Sequence, residues 1–164
     1  MGFFDFLKSK KKEDNVSSFG KIDSNNKGLS FEEAKQAREA FLTMLDTSEP
    51  KSKLVNAASG MLLNKNFDGA IEAYQKIAEK YPEAAADCES QIGAAWYFKG
   101  DYKKAIEGYV AALNKGADKG MMDDNIWEAA EALYKADGNK EHLQNYLSIF
   151  PEGQYAKQAR KALG

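Results

Sequence analysis

The side chains able to do chemistry are few and scattered. His142 is the only histidine and Cys88 the only cysteine, and they lie far apart in the chain. A zinc centre or a nucleophile–base pair needs several nitrogen, sulfur or carboxylate groups at one point, and these two supply too few. His142, two residues past Lys140 on a helical stretch, reads as a surface residue. The carboxylate pairs Glu32/Glu33 and Asp123/Asp124 fall at expected helix starts, where the helix dipole favours negative charge without catalysis. Residues 23–33, DSNNKGLSFEE, have the composition of a calcium loop, which requires oxygen ligands at positions 1, 3 and 5 and a glutamate at 12. Counted from Asp23, position 5 is Lys27 and position 12 is Ala34; counted back from Glu33, position 1 is Ile22. Neither frame makes a ligand set. No glycine-rich phosphate loop follows a strand, because no segment reads convincingly as a strand. The expectation is a protein with no catalytic residue, metal ligand or cofactor.

The composition describes the elements that must carry any other function. With 164 residues, 43% of them hydrophobic and 29% charged, the chain suits one soluble domain with a real core. Three prolines and abundant Ala, Lys and Glu favour helix over sheet. A net charge of −2 gives no reason to expect nucleic acid as a partner. An unpaired cysteine fits a reducing compartment, no apolar run approaches the roughly 20 residues of a membrane span, and the N-terminus lacks a secretory signal. The expected location is the cytoplasm.

Residues 92–113, IGAAWYFKGDYKKAIEGYVAAL, read as two helices and a tight turn. Ile92, Gly93, Trp96 and Tyr97 mark one helical face, Gly100 and Asp101 break it, and Tyr102, Ala105, Ile106, Tyr109, Ala112 and Leu113 resume it. Small Gly93 and Ala105 allow two antiparallel helices to approach, with Trp96, Tyr102 and Tyr109 filling the space beside them. This pattern resembles the tetratricopeptide repeat, a helix-turn-helix unit of about 34 residues. Residues 51–84 resemble a first such unit through Ala58, Phe67, Ala70, Tyr74 and Pro82, residues 86–119 are the second, and residues 124–150 a third through Trp127, Tyr134 and Gly138. Residues 120–123 read as a short insertion, and Glu131 stands at a normally small position. The resemblance therefore covers 51–150, or 100 of 164 residues.

Flanking helices follow from periodicity. Residues 30–46 open on a capping-box pattern, Ser30 with Glu33, and carry the stripe Phe31, Ala34, Ala37, Phe41, Met44 and Leu45. Residues 152–163 carry Tyr155, Ala159, Ala162 and Leu163 against a polar opposite side, as the last helix of a stacked array requires. The expected fold is all-α: an α-solenoid of about three tetratricopeptide-like repeats between two capping helices.

The resemblance implies a function in binding. Its first helices line a concave groove that receives a peptide or partner helix. By repeat position the groove holds Ser52, Val55, Ser59 and Leu62, then Asp87, Ser90, Gln91, Ala94 and Tyr97, then Asn125, Glu128 and Lys135. Family members that clamp a C-terminal carboxylate use Lys, Asn and Arg where this chain has Val55, Ser59, Gln91, Asn125 and Ala129, so the clamp is absent. The expected groove is neutral to weakly acidic, with Leu62 and Tyr97 as apolar anchors and an apolar or slightly basic peptide as ligand. The reading is a non-catalytic adaptor or scaffold whose partner is another protein.

The N-terminus supplies the alternative. Residues 1–12 place Phe3, Phe4, Phe6 and Leu7 before Lys8, Lys10, Lys11 and Lys12. Aromatics entering a lipid interface and lysines meeting anionic headgroups would make a weak, reversible hook to the inner face of a membrane. The same tail, joined by residues 13–29 read as a flexible linker, would also suit the chain's own groove. Phe6 excludes a myristoylation motif, which needs Ser or Thr there.

Overall fold

Ser30 starts the first helix by satisfying backbone groups that the helix leaves orphaned. Its hydroxyl accepts from Glu33 N–H at 3.3 Å, and the Glu33 carboxylate accepts from Ser30 N–H at 2.8 Å. The computed structural model describes residues 25–164, so the tail 1–12 and residues 13–24 lie outside the described residues. From Ser30 the chain forms α1 (Phe31–Asp46), α2 (Lys51–Leu63), α3 (Phe67–Lys80), a 3-10 turn (Pro82–Ala84) and α4 (Ala85–Lys99). It continues through α5 (Tyr102–Asn114), α6 (Lys119–Asp137), α7 (Glu141–Ile149) and α8 (Ala156–Leu163). Among the described residues the fold is all-helical. Each helix packs on the next, and α1 also reaches α3. Links this short hold successive helices antiparallel.

The links follow from a few residues. Gly100 ends α4 at φ +91°, a left-handed conformation natural to glycine, and Asp101 then caps α5 by accepting from Lys104 N–H at 3.1 Å. Gly138 ends α6 in the same way at φ +70°. Pro82, which lacks an N–H, follows the end of α3 and opens the 3-10 turn.

Two apolar clusters fill the interior. The first joins α1 to α4 around Phe41, Leu54, Leu62, Tyr74, Ile77 and Ile92. The second joins α5 to α8 around Tyr109, Met122, Ile126, Trp127, Leu143 and Tyr146. Half-buried Trp96 touches both. Between them α4 and α5 meet almost backbone to backbone. A methyl group on Gly108 would lie 2.8 Å from the Cα and N of Gly93, and one on Gly93 would lie 2.6 Å from the Tyr109 ring. Neither position has room for a larger residue.

Four expectations change. Residues 120–123 are not an insertion: they belong to α6, because the Asp118 carboxylate accepts from Met121 N–H at 2.8 Å and starts the helix at Lys119. Asp123 and Asp124 therefore sit inside α6, where they are buried, and not at its start. Phe31 is 82% exposed at the head of α1, and Phe41 is the residue of that helix that enters the core. His142 is buried instead of superficial, because the tight α6–α7 turn brings its Nε2 to 2.8 Å from Asp137 Oδ2.

Candidate functional site

Helices α2, α4 and α6 carry the residues expected to line the groove, and burial divides them. Leu62 is 1% exposed and Ala94 1%, so both serve the core and neither is accessible from solvent. Ser59, Ser90 and Asn125 are also buried. Ser52, Asp87 and Lys135 are exposed, while Val55, Gln91, Tyr97 and Glu128 are half-buried. The groove candidates accessible from solvent are thus Ser52 and Val55 on α2, Asp87, Gln91 and Tyr97 on α4, and Glu128 and Lys135 on α6. Of the two expected apolar anchors, only Tyr97 reaches this surface. Among the positions that replace a carboxylate clamp, Ala129 is buried with Ser59 and Asn125.

Tyr97 is where α4, α5 and α6 converge. Its ring meets Tyr102 edge-on, with centroids 4.9 Å apart and planes at 61°. Partial burial pushes its phenol up to about 12, with Glu128, Tyr102 and Glu131 adding to the shift in that order. Tyr97 therefore stays neutral near pH 7 and faces two carboxylates of α6. Behind it Tyr109 is wholly buried, and its hydroxyl has no hydrogen-bond partner. Burial holds that phenol far above its ordinary range, with Tyr97 and Glu128 as smaller contributions. The side-chain oxygen of Gln91 is likewise shielded from solvent without a partner. Such groups are destabilising unless something hydrogen-bonds them.

The remaining reactive groups are buried or engaged in contacts between helices. Burial first, then Asp87 and Glu89, push the Cys88 thiol up to about 11, so the thiolate needed for nucleophilic attack is scarce at neutral pH. Asp123 accepts from Tyr146 O–H at 2.5 Å and from Gln154 N–H at 2.7 Å. Tyr146 in turn accepts from Tyr155 N–H at 3.1 Å, so these three groups fasten α6, α7 and the approach to α8. Trp127 seals that joint by stacking on Tyr155 at 5.2 Å and meeting Tyr146 edge-on at 5.1 Å. The Asp137 carboxyl lies below its usual range, first because of the His142 bond and then because Asn139 N–H donates to it. Among the described residues no group of three or more His, Cys, Asp or Glu side chains is arranged to hold a metal ion. No helix among them is long and apolar enough to cross a membrane.

The tail residues Phe3, Phe4, Phe6, Leu7, Lys8, Lys10, Lys11 and Lys12 lie outside the described residues. Residues 25–29, read from composition as the end of a linker, are fixed against the α2–α3 turn. Asn26 Nδ2 donates to Asn64 Oδ1 at 3.2 Å, and Leu29 N–H donates to the Asn64 carbonyl at 3.1 Å. The available signal was Asn26, whose side chain accepts from Gly28 N–H at 2.8 Å in a local turn, while its bond to Asn64 had no local sign. The chain matches no protein-family model, and no curated protein matches it at a significant level.

Proposed function

We propose that the protein is a non-catalytic adaptor whose helical hairpins α2–α3, α4–α5 and α6–α7 form a tetratricopeptide-like array between α1 and α8. On this reading the face of α2, α4 and α6 binds a peptide or partner helix in the cytoplasm. One observation carries it: Ser59, Ser90, Asp123, Asp124 and Asn125 are buried on α2, α4 and α6, whereas α3 and α5 bury only Ala, Gly, Ile and Tyr, and α7 adds His142 to Leu and Tyr. Burying a hydroxyl, amide or carboxylate opposes folding unless it is well satisfied, and an apolar core would avoid that. Buried polar residues concentrated on the first helix of each hairpin, with His142 of α7 as the exception, support a face kept for recognition. Tyr97 would be its apolar anchor, and Glu128 and Glu131 would favour a ligand that is apolar or slightly basic.

The test is selection from a displayed random-peptide library on wild-type protein, followed by titration into a Gln91→Lys/Tyr97→Ala variant. Circular dichroism first establishes that the variant keeps its helix content. Selected peptides should be apolar or basic and should bind the variant at least tenfold more weakly. Equal affinity for both proteins would remove this face from consideration.

A second reading, in which residues 1–12 contact lipid while the helices recruit a partner, is favoured by a different observation. Residues 26–29 are bonded to the α2–α3 turn, beside an edge of the fold rich in lysine.

A further inference from the structure

Antiparallel packing brings the α2–α3 and α4–α5 turns to one end of the helices. Contacts join them: Lys99 Nζ lies 2.6 Å from Asp68 Oδ1, and the Phe67 and Phe98 rings stack at 6.5 Å. The N-terminal segment is bound at this same end through Asn26, Gly28 and Leu29, with Gly28 seated against Lys65. Residues 25–29 and the two turns, 63–68 and 99–104, together hold five lysines (Lys27, Lys65, Lys99, Lys103, Lys104) against two acids, Asp68 and Asp101. The α6–α7 turn adds Lys140, Glu141 and Asp137, the last bonded to His142. At the opposite end the links 46–51, 79–87 and 115–119 hold six acids against four lysines. The two ends carry opposite excess charge.

Trp96 organises the basic end. Lys99 Nζ lies 4.9 Å from its ring centroid and Lys104 Nζ 4.2 Å, so one indole holds two ammonium groups. With Lys103 they surround a shallow depression closed by Leu133 of α6. The ion pairs of Lys99 and Lys104 are no obstacle to a further anion. The Asp68 side chain is 77% exposed, and Asp101 stands 3.7 Å from Lys104, which are pairs of the weak surface kind.

We propose that this edge of the folded domain rests against an anionic lipid surface, with Lys99, Lys103 and Lys104 meeting the headgroups. Lipid is favoured over an acidic peptide by what continues from the edge. Twelve residues separate Asn25 from the run Lys8, Lys10, Lys11 and Lys12, which is preceded by Phe3, Phe4, Phe6 and Leu7, a pairing of charge with aromatic and apolar residues suited to a bilayer interface. The inference shares its partner with the second reading above and takes its choice of lipid from the tail, yet its contact residues are folded ones and the test separates them from the tail.

The experiment is co-sedimentation with vesicles of phosphatidylcholine alone and of phosphatidylcholine with phosphatidylserine. Three proteins are compared: full-length, full-length with Lys99→Glu/Lys103→Glu/Lys104→Glu, and a deletion of residues 1–12. Full-length protein should require phosphatidylserine and should release as salt rises. The triple variant, with its tail intact and its helix content checked by circular dichroism, should partition about tenfold or more weakly. Binding that the deletion abolishes and the triple variant retains would overturn the inference and leave the tail reading standing. The reverse pattern would uphold the inference and remove the tail. Equal binding to both vesicle types, or binding of a poly-glutamate probe by full-length protein that binds neither vesicle, would also overturn it. None of these outcomes alters the peptide test of the α2, α4 and α6 face.

Discussion

Gly108 brings α5 against the backbone of Gly93 with no side chain between them, whereas Asp123 joins α6 to α7 and the approach to α8 through its carboxylate, which bonds the Tyr146 hydroxyl and the Gln154 N–H. The first joint depends on what is missing. Its tolerance for added atoms is low, because a methyl at Gly108 meets backbone, which cannot swing aside as a flexible side chain can. The second joint depends on what is present, and tolerates loss poorly, because removing one partner leaves buried donors unsatisfied. The same chain thus uses shape for its middle hairpin and polar bonding for its C-terminal end.

Substitutions that exploit this difference should rank accordingly. Gly108→Val should have the largest effect, about 3 kcal/mol of destabilisation in urea unfolding, at the upper end of overpacking penalties. A loss under 1 kcal/mol would mean that α4 and α5 separate easily and that the close approach contributes little. Asp123→Ala should remove about 2 kcal/mol by orphaning Tyr146 O–H and Gln154 N–H, and Tyr146→Phe about 1 kcal/mol, since only one hydroxyl is lost. A double variant at 123 and 146 should be less destabilised than the two singles added together, because the residues share a bond. Simple additivity would break the claim that this end is one network.

The smallest expected effect concerns alkaline pH and sharpens the comparison from the other side, since polar burial also reaches the glycine-packed half. Folding raises the Cys88 thiol to about 11 and the Tyr97 phenol to about 12. Both are favoured neutral in the fold. Their contribution is complete below the ordinary values of about 8.5 for a thiol and about 10 for a phenol, and is lost as pH rises through the folded ones. Melting temperature should fall progressively between about pH 9 and 12, and less steeply in a Cys88→Ala/Tyr97→Phe variant. A parallel decline in both proteins would place the alkaline sensitivity elsewhere.

The helices were legible because their signals are local. Phe67, Ala70, Ile71, Tyr74 and Ile77 announce one face of α3 by spacing alone, and all but half-buried Phe67 are buried there. Ser30 with Glu33, and Gly100 with Asp101, announce helix ends through backbone chemistry within a few residues. What escaped the sequence is pairing at a distance. Asp123 and Tyr146 are 23 residues apart and nothing local couples them. Gly108 looks like an interruption in an apolar stripe until Gly93 is seen opposite. The α6 start was obscured because Lys119 and Gly120 follow its Asp118 cap, and glycine argues against helix. The candidate face was only partly readable for a related reason. Repeat position says which helix carries a residue, but the depth of packing decided that Leu62 belongs to the core and Tyr97 to the surface.

Trp96 and Trp127 are the only tryptophans, one in the glycine-packed half and one at the polar C-terminal joint. Trp96 lies half-buried beneath two ammonium groups at the lysine-rich end, and Trp127 is 5% exposed in a ring stack against Tyr155. The protein therefore carries two optical probes with separate fields of view. In a Trp127→Phe variant the remaining emission reports on charge arriving at the edge. In a Trp96→Phe variant it reports on the seating of α8, so each half can be followed by its own light without any added label.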